Sequence, residues 1–222
     1  MTRVLHPRFA ARRGGVRTTT WWARAWVRAV EEAAYAEADL RRGRALARSG
    51  GVGQITIDDG RLYAAVADRD DVHTVTASVP VLDAAAAEAF VETVAAEAGR
   101  IAALLAGDLP FSLVEHAEEA GVELLPYGGE LETSCTCETW ADPCPHALAV
   151  LVQVAWLVEA DPLVLLQLRG LDREQLLARL HAREPEPDVD DDLDHGVDAA
   201  LRAARLLELL DDDPERPAEH LF

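Results

Sequence analysis

The apolar positions of this chain change their period along its length, and the changes mark out its elements. Behind Thr20, a residue type that caps helices, Trp22, Trp26 and Val30 recur at four-residue spacing, which predicts a helix from Trp21 to about Ala36. A tryptophan stripe of this kind points to core, and Arg24 and Arg28 between the rings leave a base-stacking platform as the other reading. A short helical stretch near Leu40 to Arg48 ends at Gly50-Gly51 and Gly53. The pattern then alternates. Gln54-Ile55-Thr56-Ile57 runs into the Asp58-Asp59-Gly60 turn and returns through Leu62 to Val66, a hairpin signal, with a third strand from about His73 to Val81. His73 is read there as an exposed or satisfied strand residue.

Helical spacing then resumes. Asp83 caps a long Ala-rich helix reaching about Leu105, with Phe90, Val94, Ile101 and Leu105 on one stripe, and a further helix covers about Ser112 to Ala120 with His116 on its surface. Glu130 to Cys137 reads as a short strand. Ala147 to Val158 is apolar almost all round, the mark of a buried helix, and falls short of the ~20 residues of a membrane span. Asp161-Pro162 restarts a helix through Leu168, Gly170 stops it, and Asp172 caps another to about Ala182. From Glu184 onward Pro185, Pro187 and the run Asp188 to Asp194 make a linker too polar to bury, and Val197 to Leu210 is amphipathic. The expected fold class is α+β, mainly helical with a small antiparallel sheet and an embedded ββα-like zinc finger. The expected organisation is a flexible basic arm over 1–17, one compact domain over 18–183, and an acidic linker with a C-terminal amphipathic helix over 184–222.

Candidate chemistry is concentrated in one segment. The three cysteines of the chain, Cys135, Cys137 and Cys144, fall within ten residues and are followed at once by His146. Three thiolates and one imidazole are the ligand set of a closed, tetrahedral structural zinc site. Residues two apart face opposite sides of a strand and lie far apart around a helix. Cys135 and Cys137 are therefore expected where a strand or hairpin bends, and Cys144 and His146 at a helix start, with Asp142 as N-cap and Pro143 as first helical residue. An odd cysteine count and the strain of a bridge across one residue disfavour a disulfide. Cu(I) also suits thiolates, but the added imidazole and four-ligand closure favour zinc. A catalytic zinc keeps an open position and a nearby base, for which Glu138 alone is weak support.

The pattern CxCx6CxH resembles the SWIM-type zinc finger. Thr20-Trp21-Trp22 through Trp26, Leu40-Arg41-Arg42-Gly43-Arg44-Ala45 to Ser49-Gly50, and Asp161-Pro162-Leu163 to Leu168-Arg169-Gly170 also look like bacterial SWIM proteins, which are often encoded beside a Swi/Snf-type helicase. The resemblance covers about residues 18–182, with the finger at about 124–159. It implies one structural Zn2+ on Cys135, Cys137, Cys144 and His146, a role in DNA or protein interaction, and no catalytic residues to carry over. Pro145 stands where relatives often have a basic residue, and Asp68, Asp70 and Asp71 make the hairpin acidic, which argues against nucleic-acid contact by the finger itself.

Charge sharpens the question of partners. The formal net charge of the 222 residues is -19, and all 21 basic residues are arginine. A chain this acidic repels a phosphate backbone unless positive charge is segregated. Residues 1–50 do segregate it, with eleven arginines against four carboxylates, a net of +7 that leaves -26 on the remainder. No nucleophile–base pair or paired-carboxylate arrangement stands out, and Gly50-Gly51-Val52-Gly53 lacks the lysine of a phosphate-binding loop. The chain is accordingly expected to be a non-enzymatic, cytoplasmic, zinc-binding adaptor for a protein partner, a Swi/Snf-type helicase among the candidates, in a DNA-associated process. The alternative is direct DNA binding through the Arg-rich N-terminal region. Neither a membrane nor a small-molecule substrate is expected.

Overall fold

Trp22 and Trp26 fix where the core lies. In the computed structural model, which describes residues 3–14, 17–183, 197–205 and 207, both rings are buried in α1 (Trp21–Ala33) against α6 (Pro145–Ala160). Their indole N–H groups donate to the carbonyls of Val158 and Leu151, each at 3.0 Å. A buried indole needs such a partner, and α6 supplies it because it runs through the middle of the domain, buried from Pro145 to Leu151 and again from Gln153 to Val158. The tryptophan stripe is core.

Thr20 caps α1 as its sequence position predicts, accepting from the Ala23 amide. The Glu159 carboxylate, at the other end of α6, accepts from the amides and hydroxyls of both Thr19 and Thr20. These bonds hold the Glu159 carboxyl below its ordinary pKa, against a burial effect that alone would raise it. The next helix, α2 (Glu37–Ser49), lies against the first turn of α6 at Gly43, where an added Cβ would stand 2.7 Å from the Leu148 Cβ.

Five antiparallel strands lie in chain order: β1 (Val4–His6), β2 (Ile55–Asp58), β3 (Arg61–Asp68), β4 (Asp71–Ser78) and β5 (Glu132–Cys135). Sequence alternation becomes alternation of burial, with Leu62, Ala64 and Val66 of β3 facing inward. Asp59 and Gly60 both take positive φ, 48° and 75°, as a two-residue hairpin turn requires. Two of the five strands are additions to the expected sheet. β5 joins the edge of β4, with Val75 opposite Cys135, across the intervening helices α3 (Ala84–Ala95), α4 (Ala98–Leu105) and α5 (Phe111–Glu119).

The basic arm needs correction. β1 pairs with β2, Phe9 meets Trp156 edge-on at 5.2 Å, Arg12 lies over the same indole, and Arg8 donates to the Gly50 carbonyl. Residues 3–14 are thus laid on the domain, because Phe9 and the strand pairing supply anchors that the arginine count conceals. The long Ala-rich helix is also two. It divides at Glu97, whose backbone is extended, where the buried Arg100 reaches back to the Thr93 carbonyl at 2.6 Å and to Glu97. His116, exposed as expected, meets the same guanidinium through Nδ1 at 2.6 Å.

Two short helices, α7 (Leu163–Leu168) and α8 (Arg173–His181), follow α6, with Asp172 capping the second through the Gln175 amide. The chain divides into two units, Met1–His181 and Ala182–Phe222. In the second, residues 197–205 are helical. The acidic run Asp188 to Asp194, along with Leu206, Leu209 and Leu210 of the amphipathic segment, lies outside the described residues. Among the described residues no helix is long and apolar enough to cross a membrane.

Candidate metal centre

Each ligand pair stands where one element ends. Cys135 is the last residue of β5, and the strand contact persists one residue further: the Thr136 amide donates to the Thr74 carbonyl (3.1 Å) and its hydroxyl accepts from the Thr74 amide (3.0 Å). The chain then leaves the sheet and brings Cys137 back beside Cys135. On the other side the helix begins two residues later than expected. Cys144, not Asp142, is the N-cap of α6, its sulfur accepting from the Ala147 amide at 3.4 Å, and Pro145, not Pro143, is the first helical residue. Asp142-Pro143-Cys144-Pro145 offers two cap-plus-proline pairs in succession. The one used is the one that puts a thiol at the helix N-terminus, where the macrodipole favours negative charge. Asp142 instead accepts from the Thr133 hydroxyl.

The donor atoms of Cys135, Cys137, Cys144 and His146 all lie within 4.8 Å of one another. His146 Nδ1 is 3.9 Å from the Cys135 sulfur and 4.0 Å from that of Cys144. A tetrahedral zinc with its usual bond lengths separates a sulfur and a nitrogen ligand by about 3.6 Å, so the four donors already stand close to the required spacing. Residues of this kind at this spacing fit one structural zinc. It would complete its coordination on them, leaving no protein-free position.

The electrostatics agree. Three backbone N–H groups face three sulfurs: that of Cys137 toward Cys135, of Thr139 toward Cys137 and of Ala147 toward Cys144. Burial pushes the Cys135 thiol up to about 12 and raises Cys144. Burial also acts to raise Cys137, but the bond from the Thr139 amide, the interaction with His146 and the bond from the Thr139 hydroxyl outweigh it and bring that thiol down to about 6. Zinc is held by thiolates, so its binding here must displace protons from the cysteines.

A histidine ligand is positioned by whatever its second nitrogen bonds. Here His146 Nε2 meets the Asp68 carboxylate at 3.2 Å, and Arg42 of α2 donates to the same carboxylate at 2.7 Å. Arg42 is the largest cause holding the Asp68 carboxyl below the ordinary range, with His146 adding to it against partial burial. The chain Arg42–Asp68–His146 fixes the tautomer that aims Nδ1 at the sulfurs. His73 of β4 lies against the His146 ring, centroids 4.3 Å apart. It is not among the four clustered donors, but its ring contact with His146 places it beside the centre.

Sequence reading picks out the four residues whose donors cluster here and misses their supports. Asp68 reads only as hairpin charge and Arg42 as part of a basic segment. Knowing that β5 pairs with β4 would reveal both His73 and Asp68, but that pairing spans too much sequence to appear in local periodicity.

Comparisons with known proteins agree with this centre. Residues 120–155 match the model of the SWIM zinc finger. The uncharacterized protein Rv2102 of Mycobacterium tuberculosis is 31% identical over 170 residues, which is 76% of this chain and 61% of that protein. The chain thus spans less than two thirds of that relative's length. No solved structure matches. The ligand spacing, the donor geometry and the matched segment coincide: residues 120–155 of this chain carry a SWIM-type zinc finger, set into an α+β domain.

Proposed function

We propose that this protein is a non-catalytic adaptor whose zinc-built surface engages a protein partner in a DNA-associated process. A Swi/Snf-type helicase is the partner to test first, on the family resemblance. The observation that carries the reading is what the N-terminal arginines do. Arg3, Arg28, Arg41, Arg42 and Arg44 pair with the chain's own carboxylates at Asp58, Glu32, Glu37, Asp68 and Glu31, Arg8 is bonded to a backbone carbonyl, and Arg12 lies over Trp156. Five of the eleven arginines of residues 1–50 are thus matched by carboxylates, two of them, Asp58 and Asp68, from outside that segment, which reduces the positive charge the segment offers a phosphate backbone. Trp22 and Trp26 are buried, and Trp21 is half-buried with its N–H on the Leu109 carbonyl, so none is a stacking platform.

The role of zinc in this reading is to tie the end of β5 to the start of α6, holding the intervening loop as a defined surface. A closed ligand set leaves it no substrate position. Mobility-shift titration of single- and double-stranded DNA against the zinc-loaded chain tests the choice. The adaptor reading expects no shift at low salt. Binding that weakens steeply as salt rises would establish the DNA-binding alternative.

A further inference from the structure

The loop that zinc defines carries an aromatic side chain that neither the metal nor the core uses. Trp140, between Cys137 and Cys144, is 77% exposed, and Tyr35, in the link between α1 and α2, is 67% exposed. Their rings meet edge to face with centroids 4.9 Å apart. Trp21, Trp22 and Trp26 each have the indole N–H on a backbone carbonyl. Among the described residues the Trp140 indole N–H has no such partner. Two large aromatics held against each other in water, on two segments far apart in sequence, present a face with nothing on it.

The two segments that carry the rings are mainly acidic. Residues 34–41 and 136–143, which carry the two rings, contain Glu37, Asp39, Glu138 and Asp142 against a single arginine, Arg41, which is paired with Glu37 at 2.7 Å. The hollow of the metal centre, about 210 Å³, is lined by Trp140 together with Cys137 and Cys144. With zinc held by three thiolates and a neutral imidazole, the centre would add a net negative charge there. Such surroundings repel a phosphate backbone. An exposed indole face on acidic segments, with Asp142 beside Trp140 in the lining of the hollow, is instead where a guanidinium or ammonium group is held, by the ring quadrupole and by the field of the carboxylates.

We propose that Tyr35 and Trp140 form a docking site for an arginine- or lysine-bearing segment of a protein partner, with the cation seated on the exposed indole. The proposal rests on the adaptor reading and specifies the partner's chemistry. The contribution of one exposed-to-desolvated cation–π contact corresponds to about 2- to 30-fold in affinity.

The test titrates the zinc-loaded full chain with hexa-arginine, and separately with oligothymidine, at low salt. Trp140→Ala and Tyr35→Ala are each expected to weaken hexa-arginine binding, within the range of about 2- to 30-fold, while Trp140→Phe keeps most of it. Zinc content is measured for every variant. Should Trp140→Ala lose zinc, Tyr35→Ala, whose site lies outside the ligand loop, decides the matter. Hexa-arginine binding unchanged by both alanine substitutions is what general attraction to an acidic surface gives. It would overturn the docking site and leave the adaptor reading standing, as would no hexa-arginine binding at all. Oligothymidine binding that either substitution abolishes would overturn both.

Discussion

Gly43→Ala is a substitution on which backbone propensity and packing disagree in sign. Gly43 lies in the middle of α2, where alanine is better than glycine by about 1 kcal/mol. A Cβ built there falls 2.7 Å from the Leu148 Cβ, 3.1 Å from the Pro145 carbonyl oxygen and 3.2 Å from the Ala149 nitrogen. None of these atoms can rotate away. The helices must separate by roughly 1 Å, and overpacking of this kind costs about 1–3 kcal/mol. With rigid atoms on both sides the upper half of that range applies, leaving a net loss of about 1–2 kcal/mol, or roughly 2–8 °C in Tm for a domain of this size. Pro145 and Leu148 flank His146, and Arg42 of the same helix holds Asp68, so the displacement should also weaken zinc binding. Gly99→Ala is the control. Gly99 is helical in α4 with no heavy atom within 4 Å of the added Cβ, so a gain of up to about 1 kcal/mol is expected. Denaturant titration of the zinc-loaded proteins, paired with competition against a chelator, reads both quantities. Gly43→Ala as stabilising as Gly99→Ala, at unchanged zinc affinity, would refute the reasoning.

Three further outcomes follow from the same geometry. Cys144→Ser should abolish one-to-one zinc retention under chelator challenge and lower the melting midpoint, checked by elemental analysis and calorimetry; parent-like zinc content would contradict the ligand assignment. Asp68→Ala removes the acceptor for His146 Nε2 and should weaken zinc about 10- to 100-fold, so an affinity within twofold of the parent would mean the carboxylate does not orient the ring. Glu159→Gln should cost about 1 kcal/mol at neutral pH, a modest value because the carboxylate is partly exposed. Its folded pKa is depressed, so the parent's extra stability is present above the ordinary glutamate value of about 4.3. It is lost as pH falls through the lower folded value. Denaturant melts between about pH 6 and pH 3 should therefore converge for parent and variant at the acid end.

What the sequence shows and hides divides along contact range. The tryptophan stripe, the Asp58-Asp59-Gly60 hairpin, the buried helix after the finger and the four ligands are all set by neighbours within a few residues, and each is readable. The pairing of β4 with β5 is not, because α3, α4 and α5 intervene and nothing in either strand names the other. β1 is hidden for a different reason: arginines dominate its flanks, while its anchors are one short strand and Phe9. The break at Glu97 depends on a buried arginine folding back onto the preceding helix, and alanine-rich sequence carries no sign of that. At the metal centre the choice between two successive cap-and-proline pairs is likewise made by tertiary geometry.

The bond between Asp68 and His146 joins residues 78 apart in sequence. Asp68, Arg42 and Thr74 all lie outside the matched segment 120–155. A peptide cut to that segment keeps every ligand but loses the group that turns the histidine and the strand edge that seats the first cysteine pair. Zinc held tightly by the intact chain is thus a report that hairpin, basic helix and buried helix have come together, which makes metal retention a reading of tertiary assembly.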